Sequence, residues 1–243
     1  MRMLVFANRT TKEILRDPLS LFFGIGFPVV LLLLLSAINR SIPVDLFNVD
    51  SLTPGIAVFG LSFMALFAAQ VLSKDRASSF LTRLFTTPMT STDFIMGYSL
   101  PLLMMSLVQG IVCYIVAMFM GLSISLSMIV ALALLIPTSI IFIGIGLLCG
   151  TLLSERAAVG ICGALLTNLS AWLSGAWIDL NLIGGLFKDV AFIFPFVHAV
   201  EMGKAALTGE YGDIFPHIWW VLGYAIIISV VAIAMFKKKM QAE

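Results

Sequence analysis

Residues 74–93 read KDRASSFLTRLFTTPMTSTD, and this stretch decides how the rest of the chain must fold. It is charged and hydroxyl-rich, yet it lies between two hydrophobic runs, 54–73 and 94–120, each long enough for the roughly 20 residues that a helix needs to cross a bilayer. A segment carrying Lys74, Asp75, Arg76 and Arg83 must lie outside the hydrocarbon, so the chain leaves the membrane here and returns. Within it Phe80, Leu81, Leu84 and Phe85 recur at helical spacing, the four charged residues supply a polar face, and Pro88 stops the pattern. The pattern predicts a short amphipathic helix against a membrane face. Two roles fit such a helix: an interfacial strap that only ties two spans together, or a docking surface for a soluble partner.

Composition agrees with a membrane setting. Of 243 residues, 60% are hydrophobic and 11% charged, against about a quarter charged in an ordinary soluble domain; the mean hydropathy is +1.10. A net charge of +1 points to no nucleic-acid partner, and the positions of the charges carry more information than their sum. Cys113, Cys149 and Cys162 lie inside apolar runs without paired CxxC spacing and read as small packing residues. The first apolar run, 19–38, is too long for a typical signal-peptide core and is followed by Ile38-Asn39-Arg40 rather than by a small-residue cleavage site, so it reads as a retained span.

Working outward, residues 1–18 place Arg2, Arg9, Lys12 and Arg16 on one side of a helix and Leu4, Val5, Thr11, Ile14 and Leu15 toward the other, an amphipathic interfacial helix broken at Asp17-Pro18. Spans are expected at 19–38, 54–73, 96–120, 128–153, 157–177 and 218–236, with 74–93 between the second and third. Phe27-Pro28 should kink the first span, Pro54-Gly55 should open the second, and Gly146 and Gly150 in the fourth are spaced for close helix approach. Residues 178–217 mix charges with apolar pieces too short to span, as expected of outer helices that re-enter between spans five and six. Six spans put both termini on one side. Arg2, Arg9, Lys12, Arg16, Lys74, Arg76, Arg83, Arg156 and Lys237–Lys239 share that side, against Arg40, Lys188 and Lys204 on the other, so it is expected to be cytoplasmic. The predicted fold is an all-α integral membrane protein, a single domain of six transmembrane helices.

Enzymatic patterns fail. Gly203-Lys204 is followed by Ala205 where a phosphate loop needs a hydroxyl, and His198 stands where its first glycine should be. Ser174-Gly175 with His198 and His217 could suggest an intramembrane protease, but Trp172 occupies the place of a flexible glycine. No carboxylate cluster joins the two histidines at metal-ligand spacing. No span carries an ionisable group at mid-depth, where each costs on the order of 3 kcal/mol, so an ion-coupled carrier is disfavoured and energy must come from elsewhere. Gln70, Gln109, Thr138, Ser139, Asn168 and Ser170 are neutral polar residues inside spans; they could line an amphipathic route or bond between helices.

Several stretches together resemble the permease subunits of ABC-2 type exporters, the membrane subunits of type V ABC transporters. They are Ile14–Pro18 (ILRDP), Phe27-Pro28, Pro54-Gly55, the loop Asp-Arg, six residues, Arg-Leu, three residues, Pro from Asp75 to Pro88, and PFVHAVEMGKAALTG from Pro195 to Gly209. Ser79, where relatives commonly carry glycine, and Lys204, where arginine is usual, are departures. The resemblance implies a half-transporter that pairs with a second copy or close homologue and with ATP-binding-cassette ATPase subunits. ATP and magnesium would sit on that partner, and this chain would bind no cofactor and catalyse no reaction itself. It further implies that Phe80, Leu81, Leu84 and Phe85 meet a groove of the ATPase, with Asp75, Arg76 and Arg83 as rim contacts, and that Pro88, Glu155 and Arg156 belong to the same coupling surface. Phe63, Phe67, Gln70, Asn168, Ser170 and Trp172 are candidates for a substrate path, and Pro195, Glu201 and Lys204 for an outer gate. The implied activity is ATP-driven alternating-access export of an amphipathic or hydrophobic substrate (drug, lipid or peptide) across a bacterial or archaeal cell membrane. The alternatives are a non-transporting scaffold that recruits a cytoplasmic protein and, further off, the intramembrane protease.

Overall fold

A computed structural model describes residues 2–40, 47–78, 80–178 and 180–242, and among them every regular element is helical. The N-terminal helix, Arg2–Leu15, stops ahead of Asp17, whose extended backbone precedes Pro18. The Asp17 carboxylate accepts the Leu19 N–H and the Ser20 hydroxyl, and a new helix starts with Pro18 in its first turn. This first span runs Pro18–Asn39. The irregularity expected at Phe27-Pro28 takes the form of one π-helical turn, Phe22–Gly26, closed by the Phe27 N–H on the Phe22 carbonyl. Pro28 has no N–H and its ring crowds the carbonyl four residues back, so a widened turn before it is the natural accommodation.

The second span, Val49–Ala77, is longer than the sequence pattern suggests at both ends. It begins at Val49, capped by the Asn48 side chain on the Asp50 N–H, so Pro54 lies inside the helix instead of opening it. The carbonyl that Pro54 leaves without a donor is that of exposed Asp50. At the far end, 29 residues at about 1.5 Å each give roughly 43 Å against a hydrocarbon layer of about 30 Å. Lys74–Ala77 are therefore a helical extension of the span and not the start of a separate amphipathic helix. Ser78 breaks the run with an extended backbone, a six-residue link helix spans Phe80–Phe85, and the third span starts at Ser91 behind a reciprocal Thr90–Asp93 capping box. The single helix expected over 74–93 is thus divided among three elements.

The third and fourth spans are Ser91–Phe119 and Leu126–Leu152. The fifth, Glu155–Leu173, stops four residues before the expected 177, because Ser174 turns the chain by accepting the Ala176 N–H and Gly175 takes φ +70°. The sixth helix begins at Ile214, earlier than 218, and reaches Ala242. Between them lie Leu180–Ile183, Gly185–Ala191 and Pro195–Thr208, the last two bent by 87°. Pro195–Thr208, mostly buried, packs against the second, fourth and sixth spans.

The second span is the hub: 89% of its most apolar window is buried, against 17% for the sixth. In a bilayer, close helix contact comes from small residues rather than from hydrophobic drive, and this hub is built that way. Gly146 of the fourth span rests on the Ala65 carbonyl, and a methyl at Gly150 would stand 2.9 Å from the Ala69 oxygen. On the far half, Gly55 meets Ala176 and Gly203 meets Pro54.

Candidate functional site

Asp75 sits in the last turns of the second span, only 3% exposed, where a bare carboxylate would be costly and must be paired. Arg9 of the N-terminal helix grips it with both guanidinium nitrogens, Nη2 to Oδ1 at 2.7 Å and Nη1 to Oδ2 at 2.5 Å, and the Tyr98 hydroxyl of the third span donates to Oδ2 at 2.8 Å. Arg9 also pairs with Glu13 one turn on, at 2.9 Å, and Glu13 with Lys74 at 3.3 Å. The Arg9 guanidinium lies over the Phe80 ring, 4.5 Å from its centroid. Hydrogen bonds to charged groups contribute about 1.5–3 kcal/mol and an exposed cation–π contact about 0.5–1 kcal/mol. Burial opposes the charge on Arg9, but the hydrogen bond and attraction of Asp75, with Glu13 behind them, outweigh it, and its pKa is raised. One knot thus fastens the N-terminal helix, the second span, the third span and the link helix together. Phe6 tightens the same joint, edge-on to Phe94 and Tyr98 at 5.6 and 4.8 Å.

Arg76, the next residue, points the other way. Its Nη1 donates to the carbonyls of Gly150, Thr151 and Leu153, the terminal acceptors of the fourth span that have no donor of their own, and its charge suits the negative helix end. This fixes the approach to Ser154–Arg156, where Glu155 and Arg156 are exposed.

Between the N-terminal and link helices lies an apolar groove of about 510 Å³, walled by Val5, Phe6, Phe80, Leu84, Pro88 and Met89 among others. Phe80 and Leu84 are half-buried on it, and Arg83 and Pro88 are exposed. Leu81 is 1% exposed and turned into the core. The Phe85 side chain lies outside the described residues, as does Ser79. Two expectations are corrected here. Asp75 and Arg76 are internal anchors, not rim contacts, because the extended second span carries them to the third and fourth spans; and Leu81 faces inward, away from any partner. The N-terminal helix is also turned relative to its simple pattern. Phe6, Ala7, Thr10 and Ile14 are its buried face, while Leu4, Val5 and Leu15 are exposed.

The residues named for a substrate path do not share one cavity. Phe63 is packed among Phe23, Phe27 and Phe59, and Phe67 against Gly24 of the first span. Gln70 faces the N-terminal helix. Ser170 is fully buried, with its hydroxyl unpartnered among the described residues. Asn168 and Trp172 are exposed on the outer side of the fifth span. Thr138 and Ser139 bond to carbonyls of their own helix, Leu134 and Leu135, at 3.0 and 2.6 Å.

In the outer region Pro195 starts its helix, and Glu201 pairs with Lys204 at 2.9 Å beside a small pocket of about 260 Å³ shared with Thr208, Asp213 and His217. His198 Nε2 lies 3.0 Å from the Phe192 carbonyl, and its Nδ1 is 2.8 Å from His217 Nδ1. A carbonyl only accepts, so the neutral pair has one arrangement: His198 donates through Nε2 and accepts the His217 Nδ1–H. His198 also stacks on Trp220 at 5.0 Å.

Sequence reading missed Arg9, Glu13 and Tyr98 as members of the knot. The available signal was Asp75 itself, an acid abutting an apolar run that required a cation, but nothing in the linear pattern selects Arg9 from the neighbouring cations.

Comparison with known proteins agrees with this architecture. The chain is 34% identical over 140 residues to "Putative transport permease ycf38" of Porphyra purpurea, covering 54% of this chain and 48% of that one. It is 30% identical over 120 residues to the protein of the same name from Pyropia yezoensis, covering 47% and 41%. The matched segments span about half the length of either relative. The sequence profile of the ABC-2 type transporters matches residues 2–207, which take in the first five spans, the knot and the outer helices. The chain belongs to the ABC-2 type transporter family.

Proposed function

We propose that this multi-pass membrane permease is the membrane subunit of an ATP-powered exporter, and that the link helix is where a separate ATP-binding-cassette subunit pushes on it. The observation that carries the reading is the link helix itself. It is a six-residue piece between two spans, clamped to the N-terminal helix through Arg9 over Phe80 and leaving an apolar groove open beside Leu84 and Pro88. A strap needs only to connect. A surface that is rigidly backed and apolar at its face suits a partner's side chains.

On this reading the basic face is cytoplasmic, Leu84, Phe80 and Pro88 touch the ATPase, and Glu155 with Arg156 flank the contact. Closure of the ATPase pair displaces the link helix, and the knot delivers that displacement to the second and third spans. The spans then alternate between two arrangements, which requires a bistable bundle and contacts that differ between its states. Two permease copies complete the route. The exposed Asn168 and Trp172 belong on the face between copies, and the bent outer helices with the Glu201–Lys204 pair form the outer gate. The cargo is amphipathic or hydrophobic, in keeping with neutral polar side chains and no charged group at mid-depth.

Co-expression with a candidate ATP-binding-cassette ATPase subunit tests the proposal. Leu84→Asp should insert normally and abolish co-purification of the ATPase together with ATP-dependent efflux. Retention of both would remove the link helix from the coupling role.

A further inference from the structure

A second groove, of about 780 Å³, lies where the N-terminal helix turns into the first span and meets the end of the second; Lys12, Glu13, Ile14, Arg16, Ser20 and Lys74 are among its walls. Its charges are unequally matched. Arg9 is engaged by Asp75 and Glu13, and Lys74 by Glu13. The Asp17 carboxylate is turned onto the Leu19 N–H and the Ser20 hydroxyl. Lys12 and Arg16, one helical turn apart and both exposed, have no carboxylate partner among the described residues. Directly beyond them the first span presents an apolar strip, Leu19, Phe22 and Phe23, which are 66%, 51% and 37% exposed.

An occupant must therefore offer an anion at the groove and hydrocarbon beside the span. An acidic peptide or free phosphate meets the first requirement and leaves the strip uncovered. We propose that the groove binds an anionic phospholipid, its phosphate held between Lys12 and Arg16 and its acyl chains laid over Leu19 and Phe22. Basic residues at an interface attract anionic headgroups, and long cationic side chains reach headgroup level while their stems stay apolar. Since Arg9, Glu13 and Lys74 belong both to this groove and to the knot, the bound lipid sets the depth at which the N-terminal helix rests.

The test uses the full chain in phosphatidylcholine nanodiscs doped with phosphatidylglycerol, counting retained lipids by native mass spectrometry. Lys12→Gln with Arg16→Gln should lower phosphatidylglycerol retention about thirtyfold, as expected for losing two headgroup contacts. Lys237→Gln with Lys238→Gln removes equal charge at exposed positions of the sixth helix and should leave retention unchanged. Equal losses in both variants would reduce the effect to diffuse surface charge and overturn the site. Competition by glycerol phosphate lacking acyl chains would assign the groove to a soluble anion instead, which also overturns it. If the groove variant does not fold, the unaltered chain decides: no preference for phosphatidylglycerol over phosphatidylcholine ends the proposal.

Discussion

Adjacent residues with opposite duties, Asp75 and Arg76, illustrate how much the end of one helix organises here. Asp75 collects the N-terminal helix and third span, while Arg76 collects the fourth span by closing its last carbonyls. The Arg76 contact can be isolated by substitution. Arg76→Ala leaves the end of the fourth span without its donors, each uncompensated acceptor costing about 1 kcal/mol or more where water is scarce. The backbone amides around Cys149–Arg156 should then exchange hydrogen faster, with little change in the first span. Arg76→Lys restores charge but reaches fewer of three carbonyls at once, so protection should return only in part. Unchanged exchange in the alanine variant would mean that water or lipid headgroups serve these carbonyls equally well.

At the level of elements, the six hydrophobic runs were plain in the sequence because each is close to or above the roughly 20 residues needed to cross the hydrocarbon, a requirement that no local detail overrides. Their ends were less plain. Val49–Thr53 read as loop and Lys74–Ala77 as the start of a separate amphipathic helix because they are polar, yet both continue the second span, since a helix need not stop where the hydrocarbon does. The site was legible only in outline: residues 80–88 stood out by pattern, whereas the knot depends on Arg9 and Tyr98, which lie 66 and 23 positions from Asp75. The spacing of Gly146 and Gly150 proved informative, and it supports a sharp expectation. Gly146→Ala puts a methyl into the Ala65 carbonyl, backbone against backbone with no flexible side chain to yield, so it should cost about 1–3 kcal/mol and lower the melting temperature in detergent. Gly223→Ala, in the sixth helix with open space around it, should leave that temperature essentially unchanged. A wild-type melt for Gly146→Ala would show that the second and fourth spans can separate freely, contrary to the packing of the hub.

For the molecule as a whole, the proposed function requires that force applied at the link helix reach the outer helices across the bilayer. The second span joins the knot, at Asp75, directly to the outer helix, where Gly203 rests on Pro54. It is also the most deeply buried of the six, so it cannot move without moving its neighbours. Besides the chain connection through Ser78, the side-chain route from the link helix into the span runs from Phe80 through Arg9 to Asp75. Asp75→Asn cuts that path without touching any groove residue, because it keeps the volume and one acceptor but replaces charge-assisted bonds with neutral ones of about half the strength. In the assembled transporter the variant should still retain its ATPase partner and hydrolyse ATP. A cysteine introduced at exposed Thr208, beside the outer pocket, should label at rates that depend on ATP in the parent, and this dependence should fall several-fold with Asp75→Asn. Full ATP dependence in the variant would show that force enters the bundle by another path, with the Ser154–Arg156 turn the next to test. Loss of the ATPase itself would show instead that the knot shapes the docking surface rather than transmitting its motion.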